Sequence, residues 1–503
     1  MLANAVSRFV IEPSESEPSA VAIIHAGDGR EISRLELLDG VKSAAAALSA
    51  KGVAPEQRVM ICCADTSQFL YWFWGAIWIG AIPVPVSTML TEADYRFLLD
   101  DSRSVGLIYS AEFSESAGLA GEQQFFLKWK CLDTDIEQRL SGASVESPYP
   151  TSETDDAFWL YTSGTTGFPK GVIHRHIDLG FCTDNYAVSV LGMDSSDSVY
   201  SVAKLFFAYG LGNAGYFPSG TGATAILNSG RPVPEDISRH LLRYRPTIYF
   251  GVPTSYAQLL ASEIPDNTFE SVRIAISAGE SLPGDIHRRF RERFGVEILD
   301  GLGTTELAHI AISNLPGTSV AGSSGYPVDG YEISLRDQDG IEVPDGEPGA
   351  LYVAGESVMV GYWNRTARTR ETLQGKFLAT GDSYVRNLDG SYSSLGRSDD
   401  MLKVGGIWVS PNEVEACVLE LEDVLQVAVV GALDADGLTK PKAFIVLAHS
   451  EAGDGIEALV QNHVKSRLAP YKYPRWVKVV EELPQTATGK VKRYILRNED
   501  YQN

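Results

Sequence analysis

Cysteine is scarce in this chain and never patterned. Cys62, Cys63, Cys131, Cys182 and Cys417 make no Cys-x-x-Cys pair and no Cys/His metal spacing. That leaves no disulfide framework to read and suits free thiols in a reducing compartment. Positive charge is also short: 42 Lys and Arg face 65 Asp and Glu, for a formal net charge of −23. Such an acidic surface argues against a nucleic-acid partner. No basic stretch followed by an apolar one comes after Met1, so no signal peptide is expected. Long apolar runs are missing as well. The most apolar segment begins at Phe69 and meets Pro83 after about 14 residues, short of the roughly 20 that a membrane helix needs. A buried helix leading into a strand is the better reading. Repeats and low-complexity tracts are absent. The expectation is a soluble cytoplasmic protein with no membrane partner.

The composition that remains is that of a globular protein, 44% hydrophobic and 21% charged. At 503 residues it exceeds a single core, and two or more domains are expected. Residues 32–48 carry apolar side chains at helical spacing, with Ser33 placed as an N-cap. Residues 58–63, 105–109 and 157–160 read as short strands, as do 223–227, 247–250 and 273–277. Strands alternating with helices predict an α/β fold with helices layered on mostly parallel sheet. Between about 320 and 395 glycine and proline rise and the strands shorten, as at 349–353, which suggests a small β subdomain. A helix begins at Pro411, and the last hundred or so residues have an αβ alternation of their own. Between Lys465 and Arg497 nine Lys or Arg stand against only Glu481 and Glu482. This is either a solvated basic face or a landing site for a phosphorylated substrate.

The densest motif starts at Tyr161: Thr162, Ser163, Gly164, Thr165, Thr166, Gly167, then Phe168-Pro169-Lys170-Gly171. Glycines admit close backbone approach to an anion, hydroxyls donate to phosphate oxygens, and Lys170 adds charge. The order is not that of a P-loop, because Gly167 lies three residues before Lys170. Alone, the segment reads equally well as a polyphosphate loop or a surface turn. Further motifs follow it: Ser277-Ala-Gly279-Glu280 at a strand end, where ligands bind in open α/β sheets; Asp300-Gly301-Leu302-Gly303-Thr304-Thr305-Glu306; Thr380-Gly-Asp382; Gly396-Arg397-Ser398-Asp399-Asp400; Lys403 with Gly405-Gly406; and Thr486-Ala-Thr-Gly-Lys490.

This ordered set resembles the adenylate-forming superfamily of acyl- and aryl-CoA ligases, carrier-protein adenylation domains and beetle luciferases. The resemblance implies a large N-terminal domain of layered αβ sheets with a β subdomain over 1–396, a hinge at 397–399 and a small mobile α+β domain over 400–503. It implies that ATP, Mg²⁺ and coenzyme A are used. The loop from Thr162 to Lys170 would hold the ATP phosphates. Gly279 and Glu280 would line the adenine and acyl pocket, and Asp300, Gly301, Leu302 and Thr304 would complete the nucleotide site. Thr305 would contact the α-phosphate and Glu306 would hold the metal. Leu302 stands where many members carry the tyrosine that stacks on adenine, which leaves that stacking in doubt. Asp382 would bind the ribose hydroxyls, and Arg397 ribose or phosphate. Asp399 matches the hinge position; Lys403 joins the cofactor-binding set, and Gly405 and Gly406 would line the thiol tunnel. Lys490 would be the catalytic lysine of adenylation.

Residues 203–213 look like those of benzoate-type CoA ligases. The implied pocket is Phe207, Ala208, Tyr209, Gly303, His309 and Ile310. A flat apolar slot with one contacting tyrosine fits a small aromatic acid better than a fatty chain. His309 would face a ring substituent or the carboxylate. The expected activity is an ATP-dependent aryl-CoA ligase taking benzoate, anthranilate or a hydroxybenzoate through an aryl-AMP, working as a monomer or homodimer. Lys472 and Arg475 are candidate contacts for the CoA phosphates. Two rivals stay open: an enzyme that loads a carrier protein, and a non-catalytic nucleotide or acyl sensor.

Overall fold

The computed structural model describes residues 4–122, 124–136, 145–162, 169–397, 400–404, 407–434, 438–448, 455–485 and 491–497. Its centre is a nine-stranded sheet. The strands Ile298–Gly303, Ile274–Ser277, Ile248–Gly251, Ser198–Ser201, Thr224–Leu227 and Val21–His25 run parallel in that order. Antiparallel strands close both edges: Ile310–Ser313 with Tyr326–Pro327 on one side, Glu31–Ser33 on the other. The parallel strands are apolar runs because helices cover both faces. A second, four-stranded parallel sheet carries Ile82–Pro85, Arg58–Cys62, Gly106–Tyr109 and Trp129–Leu132.

The apolar run after Phe69 is the helix Ser67–Trp78, which delivers the chain into the strand Ile82–Pro85. It is apolar all round because it is buried all round: Trp72, Trp74 and Trp78 are each no more than 1% exposed. No helix among the described residues is long and apolar enough to cross a membrane. The helix Arg34–Ala50 packs against it and starts where the sequence places its cap. Ser33 accepts from the amide of Glu36, and the Glu36 carboxylate accepts from the amide of Ser33.

One strand departs from the parallel expectation. Asp156–Thr162 pairs antiparallel with Lys170–Arg175, in a three-stranded sheet completed by Gly361–Tyr362. The Ser/Thr/Gly segment therefore joins two strands of a hairpin. A P-loop instead joins a strand to a helix, so the spacing and the topology agree in excluding one.

The β-rich stretch is a five-stranded antiparallel sheet of Glu332–Arg336, Pro348–Ala354, Phe377–Arg386, Leu373–Gln374 and Tyr392–Arg397. Beyond it, Val424–Leu433, Thr439–Leu447 and Trp476–Val479 form a separate sheet. The helices Pro411–Val418 and Ile456–Arg467 cover it around a core of Val414, Val418, Val429, Ile445, Val460 and Val464. Ser410 caps the first of these helices through the Glu413 amide.

Candidate active site

The carboxyl ends of Ile274–Ser277 and Ile298–Gly303 lie side by side, with Ser277 opposite Asp300. Ser277 Oγ, Asp300 Oδ1 and Thr304 Oγ1 are all buried there without a hydrogen-bond partner among the described residues. Buried polar atoms are nearly always satisfied, so three orphans at adjacent strand ends mark a place built for a polar ligand. Burial pushes the Asp300 carboxyl well above the ordinary range. Asp300 thus lies under the site's floor rather than on its open surface. Gly279 and Glu280 occupy the turn after Ser277, Gly279 exposed and Glu280 half-buried. Leu302, in the position noted for lacking a stacking ring, packs half-buried against the main core.

Beyond Gly303 the chain makes a short turn, Thr305–Leu307, held from outside. Its neighbours belong to none of the sequence motifs. The hydroxyl of Tyr362 donates to Glu306 Oε1 at 2.7 Å. His174 Nε2 donates to the Thr305 carbonyl at 2.7 Å, while Nδ1 lies 3.0 Å from Asp178 Oδ2. Both His174 and Asp178 are fully buried. The amide of Met359 donates to the Glu306 carbonyl at 2.9 Å. Lys170 Nζ sits 4.6 Å from the centre of the Tyr362 ring, within cation–π range. Burial lowers the Lys170 pKa, and the nearby Glu306 carboxylate opposes that shift. Lys170 and Glu306 are thereby brought to one place through Tyr362.

Thr162 ends its strand directly opposite Lys170. Ser163, Gly164, Thr165, Thr166 and Gly167 fall outside the described residues, as do Asp399, Gly405, Gly406 and Lys490. Lys403 is exposed on the strand Leu402–Val404. On either side of the Lys490 segment, Gln485 bridges to Val491 and the Lys492 amide donates to the Pro484 carbonyl at 2.7 Å. Arg493, just beyond, is half-buried, and Nη2 reaches both oxygens of Glu415 at 2.8 Å. Asp400, next to the hinge position, pairs with Arg493 and Arg497.

Asp382 and Arg397, fifteen residues apart, are directly opposite in the hairpin of Phe377–Arg386 and Tyr392–Arg397. Arg397 Nη1 donates to the Thr380 carbonyl at 3.0 Å and to Asp382 Oδ1 at 3.2 Å. Gly381, at φ +78°, leaves the room: a Cβ there would stand 2.7 Å from Arg397 Nη2.

The proposed acid pocket is also brought together. Phe207 precedes the short helix Ala208–Leu211, and Phe207, Ala208 and Tyr209 are half-buried. The Tyr209 hydroxyl lies 3.2 Å from the Gly251 carbonyl and 3.3 Å from that of Ile276, at the ends of two sheet strands. Its ring is centred 5.5 Å from the His309 ring. Gly303 is opposite Ile310, and a Cβ on Gly303 would fall 2.6 Å from the His309 carbonyl oxygen. His309 Nε2 donates to Asn213 Oδ1 at 3.0 Å, and Asn213 Nδ2 donates to Ser201 Oγ at 3.2 Å. Burial drives the His309 pKa down to about 3, against an opposing backbone hydrogen bond with Tyr209. His309 is therefore a neutral ring near pH 7 and offers an acid carboxylate no positive charge.

The basic C-terminal stretch is partly used internally. Lys472 Nζ lies 2.5 and 2.6 Å from the two Glu413 oxygens. Lys465 and Arg475 each sit 4.2 Å from the centre of the Tyr473 ring. Lys472 is thus a poorer candidate for a CoA phosphate than its charge alone suggests.

Residues 12–363 match the AMP-binding enzyme family, and residues 413–490 match the AMP-binding enzyme C-terminal domain. A benzoate–CoA ligase of Thauera aromatica is 44% identical over 466 residues, 89% of this chain and 86% of the relative. The structure of an anthranilate CoA ligase in complex with anthranoyl-AMP superposes with a TM-score of 0.95 at 35% identity, covering 98% of this chain and 96% of that one. A benzoate CoA ligase from Burkholderia xenovorans LB400 gives 0.92 at 40% identity, covering 99% and 100%. With residues 12–363 and 413–490 matching its two parts in order, the chain belongs to the AMP-binding enzyme family.

Proposed function

We propose that the protein is a cytoplasmic ATP-dependent aryl-CoA ligase that converts a benzoate-type acid, through an aryl-AMP, to aryl-CoA with release of AMP and pyrophosphate. The observation that carries this is the meeting of two sites at one strand end. Gly303 pairs with Ile310 beside the Tyr209 and His309 rings, and the next three residues are Thr304, Thr305 and Glu306. An acid bound in the first would present its carboxylate to a nucleotide bound at the second.

In the first half-reaction a carboxylate oxygen attacks the α-phosphorus of ATP, the bond to the bridging oxygen breaks, and pyrophosphate leaves. A carboxylate has no good leaving group; the acyl phosphate supplies one. Thr305 and Lys490 stabilise charge on the α-phosphate oxygens, and the loop from Thr162 to Lys170 holds the departing phosphates. Asp382 takes the ribose hydroxyls and Arg397 braces it. Glu306 suits Mg²⁺, since Tyr362 fixes one carboxylate oxygen and leaves the other as a hard donor. A bound Mg²⁺ would neutralise phosphate charge. In the second half-reaction the CoA thiol attacks the aryl carbonyl, AMP departs, and the thiol proton is lost. We assign residues 1–396 to the acid and ATP domain, 397–399 to a hinge and 400–503 to a domain that turns about it. The separate apolar core of the last hundred residues supports that division.

A pyrophosphate-release assay over substituted benzoates, with aryl-CoA followed by mass spectrometry, tests the reading. Pyrophosphate release with a benzoate and formation of aryl-CoA from free CoA are expected. Release without aryl-CoA would favour a carrier-protein acceptor, and no release with any aryl acid would refute the assignment.

A further inference from the structure

We propose that Cys417, Glu420 and His463, none of them assigned above to the ligase centre, form a binding site for one thiophilic divalent cation such as Zn²⁺. Cys417 lies in the last turn of the helix Pro411–Val418, and Glu420 follows it by three residues. His463 projects from the helix Ile456–Arg467, which shares a core with the first through Val414, Val418, Val460 and Val464. The Cys417 sulfur, a Glu420 oxygen and a His463 ring nitrogen all lie within 4.8 Å of one another. Around Zn²⁺, with bonds of about 2.3 Å to sulfur and about 2.0–2.1 Å to nitrogen or oxygen, tetrahedral ligand atoms stand roughly 3.3–3.7 Å apart. The widest separation exceeds that spacing by about 1 Å, the scale of a side-chain rotation.

Access is open. Cys417 and Glu420 line a cleft of about 840 Å³ between their helix and Gly284–Phe294. A water from this cleft would complete a three-ligand site. The plainer account is an ion-pair network, since His463 Nε2 lies 2.9 Å and Arg467 Nη1 3.2 Å from Glu420 Oε2. Those pairs hold the carboxylate in place, but they give the thiol nothing to do. On binding, Cys417 releases its proton to solvent, the Nε2–H that His463 gives to Glu420 is lost as the ring proton moves to Nδ1 through solvent, so that Nε2 offers its lone pair to the ion, and Arg467 yields its share of Glu420. Sequence spacing hides the cluster because its imidazole comes from a different helix.

The test uses the full-length protein, stripped with a chelator. Zn²⁺ is titrated against a chromophoric competitor, and Co²⁺ by absorbance. One equivalent of Zn²⁺ should bind, and Co²⁺ should give a thiolate-to-metal charge-transfer band. C417S should abolish the band and weaken Zn²⁺ at least 100-fold; H463A should weaken it at least tenfold. Both variants should keep the wild-type circular dichroism spectrum and rate of aryl-adenylate formation. Cys62, Cys63, Cys131 and Cys182 are buried elsewhere, so a band that survives in C417S, or Zn²⁺ affinity equal in wild type and C417S, overturns the proposal.

Discussion

Replacing Tyr362 by phenylalanine isolates one atom of the proposed catalytic centre. The hydroxyl donates to Glu306 at 2.7 Å, and Tyr362 is only 7% exposed. Y362F keeps the ring, so the 4.6 Å contact with Lys170 survives and no cavity opens. What is lost is a hydrogen bond to a charged acceptor, worth about 1.5–3 kcal/mol. If that bond orients Glu306 for the nucleotide, kcat/KM for ATP falls about 10- to 150-fold. The assay is pyrophosphate release against ATP at several Mg²⁺ concentrations, with the aryl acid saturating. The Mg²⁺ concentration for half-maximal rate should rise, and KM for the acid should hold. Y362L removes the ring as well and should be worse by the loss of the contact with Lys170. A fall in kcat/KM for ATP of less than threefold, with Mg²⁺ dependence unmoved, would show that Tyr362 does not orient Glu306.

Two more outcomes follow from the same geometry. His309, at about 3, binds its proton far less readily folded than unfolded, where the ordinary value is 6.5. Its contribution to stability is intact above pH 6.5 and is lost as pH falls toward 3, at about 1.4 kcal/mol per pH unit. In denaturant unfolding, the stability of wild type relative to H309N should fall with that slope from pH 6 to 4; a difference that does not change with pH would refute the buried neutral ring. In G303A the new methyl meets the His309 carbonyl, so the strand pair must spread. KM for the aryl acid should rise about tenfold, ~1.4 kcal/mol, with KM for ATP changing less. Equal changes in both would mean that Gly303 does not border the acid pocket.

Local chemistry was legible in the sequence where a neighbour or a repeating period specifies it. Ser33 and Glu36 announce a cap within one turn, and the run from Phe69 announces a buried helix by its length and proline ending. Asp382 and Arg397 could be matched as motif residues, but that they share one rung of a hairpin could not be read from spacing. His174, Asp178 and Tyr362 escaped notice for a definite reason. His174 meets Thr305 across 131 residues and Tyr362 meets Glu306 across 56, and neither has a local partner pattern beyond the i,i+4 step from His174 to Asp178. The strand Asp156–Thr162 was legible as a strand but not as antiparallel, because orientation is decided by where the chain goes after the Ser/Thr/Gly segment.

The Asp382–Arg397 rung ends its sheet at the first residue of the proposed hinge. If the C-terminal hundred residues swing between half-reactions, the torque of that swing arrives first at Arg397, the residue proposed to brace the sugar-binding Asp382. Grip on the nucleotide and orientation of the swinging arm would then not be independent variables. A substitution that loosened this rung would shorten the residence of AMP and blur the timing of the turn together. The two defects would appear as one kinetic phenotype, a leak of aryl-AMP into solvent before the thiol arrives.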